Sequence, residues 1–482
     1  SSSDFRYALP IGEKKDGESR VYRNPSAMNA LYSPTALKTV KDLHVRNFST
    51  CPKKPYLGYR PIKNGEMMNA FEFYTYEQVE QMAKNLGAGI IALDLCPEIK
   101  EFKDYALKMI SFYSKNNKEV WILDVACALY NISIVPIYDT LGESSIKFVF
   151  DETNLTTCFL TVDKIKSVAD NLRKGTYKSL KNIVILDDFN LREEAKLLEG
   201  LSWYTLSTVL KAGKEKPLEV ADVKPTDIYC FSYTSGTTGD PKGVMISHDN
   251  IMTSVGSALQ QIAVSEYIYL SYLPLAHIYE KLMMLAISFR SGRVAMFNGN
   301  VLELKTDLAL LKPTVFASVP RLYSKFYEKI NEGISKQTGI KKTLITNGIK
   351  TKLENFRKTG DYTHKMYDVV FSKFREILGG KVEIMISGSA PLTKEIHELF
   401  TILMSAPLIN GYGQTECMGA EFITAKNEGH VGIVGGPISA VEFKLLDIPD
   451  MEYLSTDMEN GQNCPRGEIL VRGKPVFVDY YK

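Results

Sequence analysis

The chain has 482 residues, of which 45% are hydrophobic and 24% charged, the composition of an ordinary soluble globular protein large enough for several domains. Lysine and arginine (58) nearly balance aspartate and glutamate (56), which argues against a dedicated nucleic-acid-binding protein. Seven scattered cysteines without a CxxC pair argue against a disulfide framework or a zinc site and favour a reducing compartment such as the cytoplasm.

Helical and strand-like stretches alternate along the chain, which favours an α/β architecture with largely parallel sheets. Residues 71–86 read as a short strand leading into a helix. A helix over 120–130 and a strand over 132–137 follow. Near the C-terminus, 442–446 and 468–471 read as strands of a more β-rich part.

The central stretch YTSGTTGDPKG, residues 233–243, joins two strand-like runs, and a helix begins only afterwards. The P-loop of nucleotide hydrolases is instead strand, loop and helix with GxxxxGK[ST] spacing. Here Pro241 stands at the second glycine position, and Gly243 rather than a hydroxyl residue follows Lys242. The sequence therefore predicts a glycine-rich hairpin whose N–H groups, hydroxyls and single lysine surround a phosphate. The alternative is a flexible Ser/Thr/Gly turn.

A second region predicts a βαβ unit. A strand over 382–386 runs into SGSAP (387–391), Thr393 then caps a helix, and a strand over 407–409 leads into NGYGQTE (410–416). Because the strands of a βαβ unit are parallel, both loops emerge at the carboxyl edge of the sheet, where ligands bind in open α/β sheets.

The chemistry of NGYGQTE suits a nucleotide. Tyr412, between Gly411 and Gly413, offers a flat face to a purine, Thr415 offers a hydroxyl to a phosphate, and Glu416 is an oxygen ligand for Mg²⁺. As a GxGxxG dinucleotide fingerprint the motif fails, since Glu416 occupies the place of the third glycine. An ordinary turn with a solvated glutamate is the alternative.

Charge is uneven along the chain. Residues 321–381 hold 14 lysines and arginines against 6 acidic residues, interspersed with apolar side chains in a helical pattern. Such a basic helical region is able to rest on an anionic membrane. A solvated helix face is the simpler interpretation.

Taken in order, YTSGTTGDPKG, YLPLAHIYE (272–280), SGSAP, NGYGQTE and GEILVRG (467–473) resemble the core motifs of the adenylate-forming superfamily of acyl-CoA synthetases, luciferases and adenylation domains. YDTLG (138–142) and KPTVFASVPRLY (312–323) are similar to eukaryotic-type long-chain fatty acyl-CoA synthetases. The resemblance begins near Tyr7 and continues to the last residue.

The resemblance implies an α/β fold with two doubly wound, mainly parallel sheet subdomains flanked by helices and a smaller β-rich subdomain. In the AMP-binding large domain, 1–482, we expect these at about 60–225, 226–435 (with the nucleotide loops) and 436–482. The family's small C-terminal domain, with its catalytic lysine, and the ribose-binding aspartate are absent from these residues. We therefore expect the 482-residue chain alone to bind nucleotide or acyl-adenylate weakly and to turn over slowly or not at all.

The resemblance also implies an ATP-dependent ligase. A long-chain fatty acid reacts with Mg²⁺-bound ATP to give an acyl-adenylate, and CoA then displaces AMP. We expect a cytoplasmic enzyme, with the cytosolic face of the endoplasmic reticulum or another membrane as the alternative location. Two other functions stay open: a ligase that loads a carrier protein, and an inactive fatty-acid sensor with the same fold.

The residue roles implied by the resemblance are the following. The phosphate loop is Thr234, Ser235, Gly236, Thr237, Thr238, Gly239 and Lys242; the adenine is lined by Ser387, Gly388, Ser389, Ala390 and Pro391; and the turn stacked on it is Asn410, Gly411, Tyr412, Gly413 and Gln414. The catalytic residues implied are Lys242, Thr415 (at the α-phosphate), Glu416 (with Thr238 at Mg²⁺) and His277 (beside the acyl carboxylate). Without the resemblance, a histidine at a helix start is more simply structural.

Overall fold

The computed structural model describes residues 6–187, 191, 193–235 and 240–482. These residues form two compact units, each assembled from separate stretches of chain. The first unit contains the chain up to Ala36, Thr253–Glu266 and Lys312–Val476, and the second contains Leu37–Met252, Tyr267–Leu311 and Phe477–Lys482. The continuous subdomain boundaries expected from the sequence stay a prediction.

The strands are, in chain order, β1 (Leu9–Ile11), β2 (Val21–Arg23), β3 (Pro55–Tyr59), β4 (Ile62–Lys63), β5 (Glu66–Met67), β6 (Glu72–Thr75), β7 (Glu98–Ile99), β8 (Leu107–Tyr113), β9 (Ser133–Ile137), β10 (Thr157–Leu160), β11 (Asn182–Ile185), β12 (Ser202–Thr205), β13 (Ile228–Ser235), β14 (Pro241–Ser247), β15 (Ile268–Ser271), β16 (Arg293–Met296), β17 (Val315–Ser318), β18 (Ile384–Ser387), β19 (Leu408–Tyr412), β20 (Phe422–Ile423), β21 (Gly436–Pro437), β22 (Val441–Leu446), β23 (Met458–Glu459), β24 (Gln462–Asn463), β25 (Glu468–Gly473) and β26 (Asp479–Tyr480).

The α-helices are α1 (Val40–Thr50), α2 (Tyr76–Ala92), α3 (Lys118–Tyr130), α4 (Glu143–Thr153), α5 (Ile165–Arg173), α6 (Glu194–Leu197), α7 (Leu206–Glu215), α8 (His248–Ala258), α9 (Ile278–Phe289), α10 (Leu304–Leu311), α11 (Pro320–Ser335), α12 (Gly339–Thr359), α13 (Tyr367–Val370), α14 (Ser372–Arg375) and α15 (Lys394–Met404). Short 3-10 turns cover Pro25–Ala27, Val162–Lys164, Val301–Glu303, Glu376–Leu378, Thr415–Cys417 and Pro449–Met451. Among the helices of the described residues, none has the length and apolar character needed to cross a bilayer.

The second unit is built around a sheet of order β12-β11-β10-β8-β9-β13-β14-β26, parallel from β12 to β13 and antiparallel beyond it. Its inner strands are almost continuously apolar because helices cover parallel sheets on both faces. Helix α3 is buried from Val120 to Tyr130, and Asn117 caps it by accepting the N–H of Val120 at 2.8 Å. A further group of strands in this unit has the order β15-β16-β3-β6.

The first unit combines an antiparallel part and a parallel part. Strands β1-β2-β22-β25 form an antiparallel sheet, which contains the two strands expected near the C-terminus. Strands β17, β18 and β19 are parallel, and β20 and β21 extend them in antiparallel fashion. Helix α15 connects β18 to β19, which is the predicted βαβ unit.

The predicted α/β fold is confirmed: parallel sheets flanked by helices, with a separate β-rich part. One local expectation is wrong in its detail. Thr393 stands at the N-cap of α15, but its side chain makes no capping hydrogen bond.

Candidate active site

Two of the predicted turns lie side by side in the first unit. Ser387, the last residue of β18, is the register partner of Asn410 in the parallel strand β19. SGSAP and NGYGQTE therefore leave the same edge of the sheet. Ser387 is wholly buried, and its hydroxyl has no hydrogen-bond partner among the residues that the structure describes. Such a group is one that a ligand or a water molecule usually satisfies.

The first of these turns has an unusual backbone. Ser389 has a φ of 72°, in the left-handed region that residues other than glycine rarely adopt. Non-glycine residues in this region cost about 1–3 kcal/mol and are found preferentially at ligand sites. Gly388, Ala390 and Pro391 complete the turn around it.

The second turn starts later than the sequence predicts. Strand β19 continues through Gly411 and Tyr412, which pair with Ile423 and Phe422 of β20. Tyr412 is 40% exposed although it ends a strand, and its ring centroid lies 5.9 Å from that of Phe422. The Tyr412 ring thus lies tilted beside that of Phe422, while a large part of the side chain stays accessible to a base.

Asn410 stabilises this arrangement through its backbone and its side chain. Its backbone N–H donates to Thr424 Oγ1 at 2.9 Å, and its Nδ2 donates to the carbonyl oxygen of Ile433 at 2.7 Å. These bonds fix the end of β19 against the segment that follows β20. The expected contact between Asn410 and the nucleotide stays a prediction.

Thr415 and Glu416 lie in a single 3-10 turn, Thr415–Cys417, and both are half-buried. The carbonyl oxygen of Gln414 closes this turn by accepting the N–H groups of Cys417 at 3.1 Å and Gly419 at 2.9 Å. One carboxylate beside a hydroxyl is a donor set that fits Mg²⁺, which takes one or two protein carboxylates and completes its shell with phosphate oxygens and water. Thr238, the other expected ligand, lies outside the described residues.

Glu421 is a residue near this turn that the sequence did not single out. It is wholly buried, and its backbone N–H donates to the carbonyl oxygen of Tyr412 at 3.0 Å. Within the described ranges neither carboxylate oxygen makes a hydrogen bond of good geometry, although Gln414 and Cys417 lie near enough to lower the pKa of Glu421 in part. Burial raises the pKa of Glu421 to about 7, and the charge of Glu416 adds to the shift. The only signal in the sequence is an acidic residue inside the apolar run Ala420–Ile423.

The predicted phosphate hairpin belongs to the second unit. Strands β13 and β14 are antiparallel, with Thr234 opposite Lys242 and Tyr233 opposite Gly243. The buried ring of Tyr233 lies over Gly243, where an added Cβ would come within 2.9 Å of it and force the ring to shift. Ser235 ends β13, and Gly236, Thr237, Thr238 and Gly239 lie outside the described residues.

The only charge in the hairpin motif besides Asp240 is exposed. Lys242 lies in β14, with its Nζ 5.2 Å from the ring centroid of Tyr480 in β26. A helix follows only after β14, where Ser247 Oγ accepts the N–H of Asn250 at 3.2 Å. This order of elements differs from that of a P-loop, in agreement with the sequence.

His277 is the N-cap residue of α9. Its Nδ1 accepts the backbone N–H of Tyr279 at 3.1 Å, and burial lowers the pKa of the imidazole. The ring is therefore neutral at physiological pH, and because Nδ1 is an acceptor the proton resides on Nε2. His277 thus offers one N–H donor to a ligand.

The structure thus brings SGSAP and NGYGQTE together in the first unit, and it pairs Thr234 with Lys242 in the second, which also holds His277. That these groups act on one nucleotide stays a prediction.

A family model described as AMP-binding enzyme matches residues 50–481. The chain belongs to the AMP-binding enzyme family. It is 32% identical to long-chain-fatty-acid–CoA ligase 5 of Mus musculus over 94% of this chain and 64% of that protein. It is 33% identical to long chain acyl-CoA synthetase 3 of Arabidopsis thaliana over 99% of this chain and 72% of that protein. The resemblance to long-chain acyl-CoA synthetases is confirmed, and the chain spans about two thirds of the length of these relatives.

Two solved structures share the fold of this chain. The A domain of carboxylic acid reductase from Segniliparus rugosus, in complex with AMP and a carboxylic acid, superposes with a TM-score of 0.71 at 20% identity, covering 92% of this chain and 69% of that chain. The anthranilate CoA ligase AuaEII, in complex with anthranoyl-AMP, gives a TM-score of 0.65 at 15% identity, covering 94% and 70%. At these identities the similarity establishes the fold alone.

Proposed function

We propose that the protein activates a long-chain fatty acid with ATP and transfers the acyl group to CoA, releasing pyrophosphate and AMP. The observation that carries the nucleotide part is the register of Ser387 with Asn410, which puts two turns at one sheet edge in a member of the AMP-binding enzyme family. The long-chain acid and CoA are named in the relatives that the chain resembles.

The first step joins two anions. A carboxylate oxygen of the fatty acid bonds to the α-phosphorus of ATP, and the bond from that phosphorus to the bridging oxygen breaks, so that pyrophosphate leaves with the electron pair. Charge repulsion opposes this approach, and donors fixed in advance are an effective way to offset it. When bound by Glu416 and Thr238, Mg²⁺ would supply countercharge to the phosphates.

The protein's own residues take the remaining tasks. The exposed face of Tyr412 stacks on the adenine beside SGSAP, and Thr415 donates to the α-phosphate. Lys242 is exposed at the end of the hairpin and supplies a point charge to the β- and γ-phosphates together with the hydroxyl-rich loop.

His277 orients the acid. A neutral imidazole with its proton on Nε2 donates a hydrogen bond to the acyl carboxylate without neutralising the nucleophile through a strong ion pair. The helix holds the ring in place through Nδ1. In the second step, the CoA sulfur bonds to the acyl carbon, the bond to the AMP oxygen breaks, and the thiol proton is released.

The test measures acyl-adenylate and pyrophosphate in a single turnover with palmitate, ATP and Mg²⁺. We expect Lys242→Ala and Glu416→Ala to slow adenylate formation by about 100-fold or more, the usual effect of losing a charge-stabilising group. Lys53→Ala and Glu332→Ala, which remove exposed charges from salt bridges elsewhere, serve as matched controls. Normal rates in both site variants would contradict the assignment of these residues.

The acyl acceptor and chain length are tested separately. Addition of CoA is expected to convert the adenylate to a thioester, and adenylate that accumulates unchanged with CoA indicates a ligase for a carrier protein instead. Rates compared from acetate to long-chain acids test the substrate class, and a preference for acetate would refute it.

We also propose a peripheral contact with anionic membranes through helices α11 and α12. Ile340 is 82% and Leu344 40% exposed, one turn apart on α12, next to Lys341 and Lys342. Apolar side chains inserted among lysines are typical of helices that lie on anionic bilayers. A solvated helix face is the competing explanation.

Sedimentation with lipid vesicles distinguishes the two. Binding to vesicles of phosphatidylcholine with phosphatidylserine, weakened by salt and by Ile340→Asp, supports the membrane contact. Leu302→Asp changes an apolar residue of the second unit that is 89% exposed, and it is the control. Equal binding to neutral and anionic vesicles, or none, would leave the solvated face as the explanation.

A further inference from the structure

The first turn of α9 contains a buried glutamate, Glu280, that does not bond to the N-cap backbone as a glutamate at this position often does. Glu280 is three residues after the N-cap His277, where a glutamate commonly reaches back to the N-cap N–H. Here the N–H of His277 donates to the carbonyl oxygen of Pro274 at 2.8 Å instead. Glu280 is completely buried, and its carboxyl group points to the neighbouring strand β15.

Both carboxyl oxygens of Glu280 have hydroxyl partners on β15. Tyr269 Oη donates to Oε2 at 2.6 Å, and Ser271 Oγ donates to Oε1 at 2.5 Å. Since β15 runs directly into the segment that precedes α9, these two bonds fix the start of the helix to the strand that leads to it. The carboxyl thus closes a short loop in which His277 is included.

Asn116 extends this network to the loop itself. Its Nδ2 donates to Ser271 Oγ at 2.9 Å and to the carbonyl oxygen of Leu273 at 2.6 Å. Its Oδ1 accepts the N–H of Leu275 at 2.9 Å. Asn116 therefore bonds to the loop between β15 and His277, and Glu280 bonds to β15 itself. Ser271 links the two, since its hydroxyl contacts both Asn116 and Glu280.

A separate anchor holds the body of α9. Lys281 Nζ bonds to the buried carboxylate of Asp124 in α3, and this carboxylate also accepts the hydroxyl of Tyr229 in β13. Because this anchor does not involve Glu280, α9 keeps an attachment to the core when the Glu280 bonds are removed. A change at Glu280 is then expected to act on the helix start rather than on the whole helix.

We propose that Glu280 is a positioning residue for His277, fixing the helix start so that Nε2–H points at the acyl carboxylate. This inference rests on the proposed function for the role of His277, but the placement of the imidazole is testable without it. Misplacing a group that orients a substrate by about 1 Å costs on the order of 100-fold in rate.

The test compares Glu280→Gln, which keeps the shape and two polar atoms, with Glu280→Leu, which removes them. We expect Glu280→Leu to raise KM for palmitate or slow adenylate formation by about 10- to 100-fold, with AMP affinity unchanged, and Glu280→Gln to restore most of the loss. In a His277→Ala background, Glu280→Leu should have little further effect, because contacts acting through one group are not additive. Equal slowing in both backgrounds would overturn the proposal.

Asp307→Asn is the matched control. Asp307 is also completely buried, accepts bonds from Arg60 Nη1 at 2.9 Å and the N–H of Asn298 at 2.8 Å, and has no bond to the α9 start. It reports what loss of a buried carboxylate does to the rate through stability alone. If Asp307→Asn raises KM for palmitate as Glu280→Leu does, the effect is not specific to His277 and the proposal fails.

A second measurement tests the positioning role of Glu280 separately from the proposed function. The imidazole NMR signals and pKa of His277 are expected to change in Glu280→Leu and to stay near wild type in Glu280→Gln and Asp307→Asn. This result is independent of adenylate formation. Absence of adenylate in the full-length wild type would refute the proposed function, whereas unchanged His277 signals in Glu280→Leu would refute the positioning role.

Discussion

The Nδ1 atom of His277 accepts the backbone N–H of Tyr279 at 3.1 Å, so one side of the imidazole serves the helix and the other is left for a ligand. This division explains how the residue is both structural and a candidate for the reaction. The position of His277 at a helix start suggests the structural role from the sequence alone. The role in the reaction is suggested by the resemblance to the family.

Two substitutions separate these tasks. His277→Asn keeps an N-cap side chain but removes the Nε2–H donor, whereas His277→Ala removes both. We expect both variants to lose adenylate formation, but only His277→Ala to lose about 1 kcal/mol of unfolding free energy, the usual value of an N-cap. Urea unfolding and single-turnover assays measure the two effects. Full activity in His277→Asn would argue that the ring is purely structural.

The ion pair between Lys281 and Asp124 predicts a large stability effect. Both side chains are almost completely buried, so removing one leaves the other as an uncompensated charge. We expect Lys281→Met to lower the unfolding free energy by about 3–5 kcal/mol, and the double variant Lys281→Met/Asp124→Leu to lower it less.

The matched surface pair for comparison is Lys53 with Glu77, which are 81% and 39% exposed. Lys53→Met is expected to change the unfolding free energy by less than about 1 kcal/mol, since water screens exposed ion pairs. Similar losses in Lys281→Met and Lys53→Met, measured by urea unfolding, would contradict the importance of burial.

The sequence predicts the elements that carry strong local signals. The βαβ unit of β18, α15 and β19 follows from two apolar runs with polar, glycine-containing turns after them, and the hairpin of β13 and β14 follows from the late start of α8. The continuation of β19 beyond Ile409 was not predicted, because Gly411 and Tyr412 are typical turn residues. They become part of the strand only because they pair with β20, which the local sequence does not indicate.

The charged residues inside the core were not predictable from local pattern. Glu280 and Lys281 are neighbours in α9, where an acidic and a basic residue normally indicate a solvent-facing side. Their burial depends on Tyr269, Ser271 and Asp124, which are distant in sequence or on another element.

The carboxyl of Glu280 predicts a pH dependence of stability. Burial raises its pKa from the ordinary 4.5 to about 8, and the groups that hydrogen-bond to it are the Tyr269 and Ser271 hydroxyls, whose own titration does not fall in this range. Between these values the folded protein binds one proton more than the unfolded chain. The stability that the carboxyl of Glu280 contributes is fully present below about pH 4.5 and is lost as the pH rises through about 8.

Glu280→Gln isolates this effect because glutamine does not titrate. The unfolding free energy of the wild type minus that of Glu280→Gln is expected to fall between pH 5 and pH 8, by at most about 1.4 kcal/mol per pH unit. Urea unfolding of both proteins across this range measures the difference. A difference that stays flat or rises would mean that the carboxyl is already ionised at pH 5.

The two glycines beside Tyr412 differ in how much space surrounds them. A Cβ on Gly413 would lie 2.4 Å from the carbonyl carbon of Gly419, and backbone atoms cannot move aside as a flexible side chain does. The nearest atom to a Cβ on Gly411 is the carbonyl oxygen of Phe422 at 3.6 Å, an ordinary contact.

We therefore expect Gly413→Ala to cost about 1–3 kcal/mol of unfolding free energy, the range for overpacking, and Gly411→Ala to cost less than about 1 kcal/mol. Because the clash pushes the turn of Thr415 away from Tyr412, Gly413→Ala should also weaken AMP binding at least tenfold, on the order of 1.4 kcal/mol. Gly333→Ala, on α11 with no atom within 4 Å of its added Cβ, controls for the change of residue type and should leave AMP affinity unaltered. Calorimetric titration measures AMP affinity, and urea unfolding measures stability. Equal stability of the Gly411→Ala and Gly413→Ala variants would show that the turn moves without strain. The close contact with Gly419 would then not define the geometry of the nucleotide turn.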